Sequence, residues 1–375
     1  MILQKSKYEL TIFLISLIFL TIYSLYLGNW SLTTFCNFGQ QTISDNFPLH
    51  TVIFKNSIGY DGQYYCRMAI EPFNYSNEAL GVSFESPSYR YSRIIYPLIA
   101  WLFSFGIPMI SIFNLFFINL ICLIFMYILG KKYFKFDYFI FFLPFIPFVI
   151  FRNTAEILSI FFIILSIISF DNKRLLLFSI FSTLAILTRE TSLIFYVVAI
   201  LFFIFKNKIK LIDFVILFLP GIFFILWRLF LLIIFGDLPE DIGTKVNFNL
   251  NELSFLTSYF NLFFKLNEIK FFIHFIQLSI ILIFCTVVLF NLKFNELSYI
   301  EVSFLIYLIF FNFLAAHIYI SDFAFFRVLP ELFLLGFMIM FKKKIMPNLF
   351  FKLPIIFLFI LNIIRIAHNH YMYLS

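Results

Sequence analysis

One acidic residue lies between two glycines in a tyrosine-rich block near the start of the chain. The block covers residues 59–65 and reads Gly-Tyr-Asp-Gly-Gln-Tyr-Tyr, with the carboxylate at Asp61. A carboxylate can take a proton from a hydroxyl group, glycines let a backbone approach a ligand closely, and aromatic rings offer flat faces to a sugar ring. A tight turn with tyrosines at the membrane interface explains the same pattern equally well.

A second block follows at residues 88–98 and reads Ser-Tyr-Arg-Tyr-Ser-Arg-Ile-Ile-Tyr-Pro-Leu. If a helix begins there, Arg90 and Arg93 share one face because they are three residues apart. Arginine can bind phosphate or carboxylate through two parallel hydrogen bonds. Residues 94–105 are too short to cross a membrane and predict a helix at the outer interface, whose plainer role is to anchor the loop.

Three later turns each place an acid near an arginine. They contain Arg152 with Glu156, Arg189 with Glu190, and Arg327 with Asp322 and Glu331. Ionisable groups at a membrane boundary are costly and tend to be functional, which favours one shared polar cavity. Ion-paired capping of the helix ends within each turn is the alternative explanation.

The elements that carry these residues are predicted to be apolar helices. Hydrophobic residues make up 62% of the 375 and charged residues only 13%, whereas roughly 25% of a typical soluble domain is charged. We therefore expect an all-α, polytopic transmembrane protein that forms a single integral membrane domain over residues 1–375. Because a span needs about 20 apolar residues, the sequence predicts about eleven transmembrane helices, at roughly 10–27, 109–130, 137–151, 155–170, 174–188, 190–205, 212–235, 271–291, 299–320, 325–341 and 350–367.

Basic residues orient these predicted helices. Lysine dominates one set of short connections, which places that side and the N-terminus in the cytoplasm. Seven of the nine arginines fall on the opposite side, together with the two longest polar stretches, residues 28–93 and 236–270. With its interfacial helices, the first outer loop is predicted to extend over residues 28–108. The active face is therefore predicted to be the extracytoplasmic face of the plasma (inner) membrane. The first apolar run is too long for a cleaved signal peptide, so we expect the chain to retain it.

Other features argue against several classes of function. The formal net charge of +7 is not gathered into a basic helix with interleaved aromatic residues, so nucleic-acid binding is not expected. No cysteine or histidine spacing predicts a metal site. Cys122 and Cys285 lie in apolar runs, where a thiol is a small hydrophobic group. Cys36 and Cys66 share the first loop and can form a disulfide if it faces an oxidising compartment, but the sequence leaves their state open.

The first loop and the outer turns together resemble the GT-C superfamily of membrane glycosyltransferases, which use polyprenyl-phosphate sugars. The resemblance rests on the segments GYDGQYYCRMA, SYRYSRIIYPL, RNTAE, LTRET and FRVLPE and covers most of the chain. These segments are similar to a bacterial branch of cell-surface glycopolymer proteins. They are more distantly similar to the GPI mannosyltransferase that adds the second mannose.

The resemblance implies an inverting transfer of a sugar from a polyprenyl-phosphate donor to a cell-surface glycan or lipid-linked acceptor. Asp61 would be the catalytic general base, and arginines would stabilise the leaving phosphate. The implied substrate-binding residues are Tyr60, Gln63, Tyr64, Tyr89, Arg90, Arg93, Arg152, Glu156, Arg189, Glu190 and Arg327. No DxD or ExD motif surrounds Asp61, so no cofactor is implied with certainty and a requirement for Mg²⁺ or Mn²⁺ stays open.

Other functions fit the same membrane architecture. A transporter or flippase of a lipid-linked or small polar substrate would place its site near the bilayer midplane, at broken helices within internal repeats. A polymerase or ligase of surface polysaccharide would carry a large late outer loop, whereas residues 236–270 form a modest one. A non-catalytic subunit of an assembly is a third alternative.

Overall fold

The computed structural model describes residues 2–43, 50–206, 210–239, 254–320, 324–345 and 349–374. Over these ranges the chain is nearly all-α. The helices are α1 (Ile2–Leu27), α2 (Asp61–Ile70), α3 (Pro87–Tyr91), α4 (Ile95–Leu102), α5 (Pro108–Phe134), α6 (Ile146–Phe151), α7 (Glu156–Asp171), α8 (Leu175–Thr188), α9 (Ser192–Lys206), α10 (Leu211–Phe235), α11 (Ser254–Phe264), α12 (Ile269–Phe290), α13 (Tyr299–Asn312), α14 (Ala316–Ile320), α15 (Ala324–Val328), α16 (Pro330–Lys342) and α17 (Leu349–Leu374).

Short elements occupy the connections between these helices. Segments of 3-10 helix lie at Leu32–Cys36, Tyr138–Phe142 and Phe294–Glu296. In the first loop, β1 (Phe38–Gly39) pairs in parallel with β2 (Ile53–Phe54). Further along the loop, β3 (Glu78–Ala79) pairs with antiparallel β4 (Val82–Ser83).

Five helices of the described chain are long and apolar enough to cross a membrane. These candidate spans are Tyr8–Leu27 within α1, Pro108–Phe134, Leu211–Phe235, Ile269–Phe290 and Lys352–Leu374 within α17. The first and last of them pack against each other. The shorter helices α8, α9 and α13 are also apolar. The architecture therefore fits a membrane-embedded helical protein.

The predicted number of about eleven transmembrane helices is not supported by the described chain. Residues 137–151 were predicted to span, yet they contain a 3-10 helix followed by α6, and residues 139–151 are all buried inside the protein. Helix α16 is enclosed in the same way, with residues 330–341 buried. Apolar side chains pack equally well against protein and lipid, so an apolar run by itself does not distinguish a core segment from a span.

The described residues of the first loop form a packed unit without a spanning helix. Helix α2 contacts α4 and α5 and buries residues 62–69. The short helix predicted over residues 94–105 is confirmed as α4, and the apolar side chains of Leu102, Phe103 and Phe105 at its end are exposed. The loop therefore holds α2 firmly against the helix bundle.

A disulfide joins Cys36 to Cys66, with the two Cα atoms 6.0 Å apart. Cys36 ends the first 3-10 helix and Cys66 lies in the middle of α2. The bond therefore attaches α2 to the beginning of the loop and settles the pairing that the sequence left open. Cys122 and Cys285 are free and buried, as expected for small apolar side chains.

Part of the second predicted outer loop lies outside the described residues. Of residues 236–270, the stretch 240–253 falls in that part, while α11 and the first residues of α12 belong to the described chain. Asp322, which the sequence placed in one of the outer turns, also lies outside the described residues.

Candidate active site

Asp61 is the first residue of α2, and Tyr60 precedes it in an extended conformation. Gly59 has a φ of +77°, in the left-handed region that favours glycine. A Cβ atom on Gly62 would lie 2.2 Å from the carbonyl oxygen of Arg152. The glycines do allow a close backbone approach, but the group that approaches Gly62 belongs to the protein itself. The interpretation of this glycine as room for a ligand is therefore corrected.

The Asp61 carboxylate is held by two arginines from distant parts of the chain. Its Oδ1 atom accepts a hydrogen bond from Arg90 Nη1 at 2.7 Å, and Oδ2 accepts one from Arg327 Nη2 at 2.9 Å. Arg90 lies on α3 and Arg327 on α15. The Asp61 side chain is 27% exposed and that of Arg327 only 8%, so the pair lies at the boundary between the protein interior and its surface.

Arg327 connects Asp61 to a second, fully buried carboxylate. Arg327 Nε and Nη2 donate to Glu156 Oε1 at 3.0 and 2.8 Å, and Arg189 Nη1 donates to the same oxygen at 2.6 Å. Arg189 Nη2 also donates to the Val328 carbonyl at 3.0 Å, next to Arg327. This chain of ion pairs, called the arginine network below, consists of Arg90, Asp61, Arg327, Glu156 and Arg189.

A separate two-point ion pair lies beside this network. Arg93 Nε and Nη2 donate to the two carboxylate oxygens of Glu190 at 3.0 and 2.6 Å, and Nη2 also donates to the Tyr89 hydroxyl at 2.7 Å. Helix α3 ends at Tyr91, so Arg93 lies in the turn that follows it. Arg90 and Arg93 therefore bind different acids, and the predicted helical face shared by both does not form.

The alternative explanation, ion pairing within each turn, does not describe the ion pairs of Arg189, Glu190 and Arg327. Arg189 pairs with Glu156, Glu190 pairs with Arg93, and Arg327 pairs with Asp61 and Glu156. The partners come from different turns because α7, α8 and α15 bring their ends to one place. The three turns thus meet in one cluster of ion pairs, whereas the shared polar cavity that the sequence predicted among them stays a prediction.

The predicted aromatic residues lie against guanidinium groups. The Arg90 guanidinium lies 4.0 Å from the centre of the Tyr64 ring and 5.4 Å from that of Tyr89. The ring of Tyr60 lies 4.0 Å from the Arg152 guanidinium and 4.6 Å from that of Arg327. Such contacts orient an arginine and stabilise it by about 0.5–2 kcal/mol each. In this conformation the ring faces orient cations rather than a sugar.

Gln63 is used within the loop. Its Oε1 atom accepts hydrogen bonds from the Gly39 amide at 3.1 Å and the Thr42 hydroxyl at 2.6 Å, and its Nε2 atom donates to the Ile58 carbonyl at 3.0 Å. The residue is 1% exposed. Its side chain thus positions the turn before α2, and the structure does not bring it to the ion pairs.

Glu331 belongs to the site, although the sequence analysis placed it only in an outer turn beside Arg327 and did not select it as a substrate-binding residue. The residue is fully buried, and its Oε1 atom accepts hydrogen bonds from Thr191 Oγ1 at 2.7 Å and from Ser192 Oγ at 3.4 Å. These contacts fix the turn that carries Arg189 and Glu190. A signal was present, since a carboxylate at the start of an apolar helix is costly to bury.

The space among these side chains is small in this conformation. A cavity of about 10 Å³ lies beside Asp61 and is lined by Asp61, Tyr64, Tyr65, Met68, Tyr89, Arg90 and Arg93. That volume corresponds to about one water molecule. Tyr65 and Met68 are the lining residues that the sequence did not select. Within the described parts of the chain, this cavity is too small for a sugar ring unless the side chains that line it move.

The guanidinium groups determine the charge state of Asp61 and Glu190. Burial acts to raise the pKa of Asp61, but Arg90, Arg327 and Arg93 outweigh it and hold that pKa well below its ordinary value. Burial likewise opposes ionisation of Glu190, and Arg93 outweighs it, so the pKa of Glu190 is also well below its ordinary value. Both acids are ionised at neutral pH. Asp61 is accordingly a weak base while both arginines are bound to it, since a good base has a pKa near the working pH.

Metal binding has little support from the described residues. They contain no group of three or more histidine, cysteine, aspartate or glutamate residues that could hold a metal ion. Both oxygens of Asp61 and one oxygen of Glu156 are bound to guanidinium groups. The donor set fits an anionic ligand better than a cation, because arginine provides only hydrogen-bond donors.

Comparison with protein-family models, with characterised proteins and with solved structures finds no match to this chain. Function is therefore inferred from the chain's own residues and their geometry.

Proposed function

We propose that the protein is an integral membrane glycosyltransferase of the GT-C type. It moves a sugar from a polyprenyl-phosphate donor to a cell-surface glycan or a lipid-linked acceptor. The observation that carries this proposal is the meeting of Asp61 with Arg90 and Arg327 at the ends of apolar helices. A single carboxylate beside several guanidinium groups provides a base for a hydroxyl and donors for a phosphate.

The proposed reaction inverts the configuration of the sugar. The acceptor oxygen forms a bond to the anomeric carbon from one side, while the bond from that carbon to the phosphate oxygen breaks on the other. The bonding electrons leave with the phosphate, which departs as polyprenyl phosphate, and the hydroxyl proton passes to the Asp61 carboxylate. The developing negative charge on the leaving phosphate is stabilised by Arg90 and Arg327.

The donor phosphate also has a role in freeing the base. Arg90 and Arg327 bind Asp61 in the present conformation, and they are the donors that a phosphate needs. When the phosphate takes over these donors, Asp61 loses two cations and its pKa rises towards the working pH. Donor binding would thus free Asp61 and open the small cavity beside it.

The remaining residues have supporting roles in this proposal. Glu156 holds Arg327 through an ion pair. Glu331 accepts a hydrogen bond from Thr191 and so holds the turn that carries Arg189. Tyr60 and Tyr64 orient guanidinium groups in the resting state and become free to contact a sugar when those groups move to phosphate. Glu190 holds Arg93 beside the site.

We place the site on the extracytoplasmic face of the plasma (inner) membrane, with the N-terminus in the cytoplasm. The Cys36–Cys66 disulfide supports this orientation, because disulfides persist in oxidising compartments. The excess of lysine on the opposite side supports it independently. Nucleotide sugars are cytoplasmic, so an outer site agrees with a lipid-linked donor.

The test is transfer by the purified full-length protein in lipid vesicles. Labelled polyprenyl-phosphate sugars are supplied with membranes that contain the natural acceptors, and label in the acceptor fraction is measured. Asp61→Asn should lower transfer by about 10²–10⁴-fold, the usual contribution of a general base. Glu78→Gln is the matched control in the same loop, because Glu78 is exposed, and it should transfer normally.

Two outcomes would overturn the proposal. One is full transfer by a normally folded Asp61→Asn protein, which would exclude this residue as the base. The other is movement of the unchanged donor across the vesicle membrane without any labelled product, which would identify a flippase instead.

A further inference from the structure

Two adjoining cavities lie at the end of the helix bundle opposite Asp61. Their volumes are about 210 and about 240 Å³, and both are lined by Asp171 and Ser298. Helix α7 begins at Glu156, in the arginine network, and ends at Asp171. With a rise of about 1.5 Å per residue, these two ends are roughly 22 Å apart. The cavities are thus separate from the candidate active site.

Lysines line both cavities. The first contains Lys135, Lys342 and Lys343, and the second contains Lys173 and Lys206. Lys343 forms an ion pair with Glu301 at 2.7 Å. In the described parts of the chain, the other four lysines make no ion pair within 4.0 Å. They are therefore available for an anionic ligand.

The two acids in the cavity walls already have partners. Asp171 accepts a hydrogen bond from the Tyr299 hydroxyl at 2.8 Å. Glu301 is bound by Lys343 and also accepts hydrogen bonds from the Ser298 amide and hydroxyl, both at 2.8 Å. Across both cavities five lysines face two acids, so the walls carry a net positive charge.

The walls are also partly apolar. Phe134, Ile300 and Met338 line the first cavity, and Phe202 and Phe203 line the second. A small hydrated anion needs no such surface, whereas a lipid places its phosphate among cations and its glycerol and chains against apolar groups. Basic pockets between helices at a membrane surface bind lipid head groups in this way.

We propose that these two cavities form a binding site for the phosphate head group of an anionic phospholipid. Lys135 and Lys342 bind the phosphate from one cavity, and Lys173 and Lys206 extend the site into the other. If the orientation in the proposed function is correct, the lipid belongs to the cytoplasmic leaflet. The binding itself does not depend on that orientation or on glycosyl transfer.

Two general effects also place lysines here. Lysines at helix C-termini interact favourably with the helix dipole, and cytoplasmic loops are rich in lysine. Neither effect requires a cavity, and both predict that any lysine at this end contributes equally to lipid binding. A comparison of lysines inside and outside the cavities therefore separates a specific site from general attraction.

The experiment measures lipid binding to the purified full-length protein by native mass spectrometry, with phosphatidylglycerol as the anionic probe and phosphatidylcholine as the zwitterionic one. The double variant Lys135→Gln/Lys342→Gln removes two lining lysines. Since each such lysine contributes about 1 kcal/mol, the dissociation constant for phosphatidylglycerol should rise about 30-fold. The matched control is Lys131→Gln/Lys344→Gln, which removes two exposed lysines outside the lining, and its affinity should stay within about twofold.

A gain of binding provides a test that misfolding cannot imitate. Asp171→Asn removes a negative charge from both cavities and can still accept the Tyr299 hydrogen bond, so phosphatidylglycerol should bind several-fold more tightly. Equal losses in the two double variants, or no gain in Asp171→Asn, would overturn the proposal. Equally tight binding of soluble glycerol phosphate would show that the ligand is a free phosphate ester and would overturn the assignment to lipid.

Discussion

The two ends of the helix bundle both concentrate basic residues, but they use them differently. Around Asp61 the cations are arginines, each of their ion pairs among the described residues joins segments far apart in the chain, and the cavity holds about one water. Around Asp171 the cations are lysines, most of them unpaired among the described residues, and the cavities are more than twenty times larger. At the Asp61 end the basic side chains are occupied by acids of the protein and leave little space, whereas at the Asp171 end most of the basic side chains face cavities.

This difference between the two ends shows that a concentration of positive charge does not by itself tell an active site from a binding site. Arginines can hold several carboxylates in a fixed geometry because the guanidinium fork donates along several directions. In the proposed function, that geometry keeps Asp61 a weak base until the donor phosphate replaces it on the arginines. A lysine ammonium is a point charge with a flexible chain, so lysines around an open cavity attract an anion without arranging a reaction.

The largest expected effect concerns the residue that bridges two acids at each end. Arg327 bridges Asp61 and Glu156, and Lys352 bridges Glu9 and Asp137 at 2.8 and 2.7 Å. Arg327→Met leaves buried Glu156 with less compensation and should destabilise the protein by about 3–5 kcal/mol. Lys352→Met should cost only about 1 kcal/mol, since neither of its acids is fully enclosed as Glu156 is: the side chains of Glu9 and Asp137 are 14% and 35% exposed.

Thermal unfolding in detergent at a fixed scan rate measures both variants. Adding Glu156→Gln to Arg327→Met should restore part of the lost stability, because the unpaired buried charge is then removed. If Arg327→Met and Lys352→Met lose equal stability, the ion pairs at the two ends of the bundle do not differ in their contribution to folding.

The next effect concerns the proposed replacement of the Asp61 carboxylate by a phosphate as the partner of Arg90 and Arg327. Asp61→Asn should bind a short-chain isoprenyl phosphate about tenfold more tightly, a change of about 1.4 kcal/mol, because a competing carboxylate is removed from Arg90 and Arg327. Arg90→Gln should change binding in the opposite direction. Calorimetric titration of the purified protein measures both, and weaker binding by Asp61→Asn would contradict the replacement.

The smallest effect concerns acid stability. Burial alone would raise the pKa of Asp61, but the arginines lower it below the unfolded value of about 3.9. The ion pairs therefore stabilise the fold fully above that value, and their contribution is lost as the pH falls below it. The melting temperature should fall less between about pH 5 and pH 3 in Asp61→Asn than in the unchanged protein. Equal falls would show that these ion pairs contribute little to folding.

Much of the candidate site could be predicted from residue types. The turns with Glu156, Arg189 and Arg327 were expected to share one polar region, the family resemblance added Asp61 and Arg90 to it, and the structure joins all five. The partners could not be predicted, because each pair depends on how helices meet and not on spacing along the chain. Gln63 illustrates the limit: it lies two residues after Asp61, yet its hydrogen bonds go to Gly39, Thr42 and Ile58.

The sequence by itself determined that the chain is helical, apolar and suited to a membrane, because composition alone decides which solvent can cover its surface. It also determined which residues are candidates for chemistry. Only the tertiary structure decided which apolar runs are core, as for residues 139–151, since phenylalanine and isoleucine pack equally well against protein and lipid. It alone also decided that Asp61 rests between two arginines, because electrostatic energy depends on distance and burial, which no sequence pattern specifies.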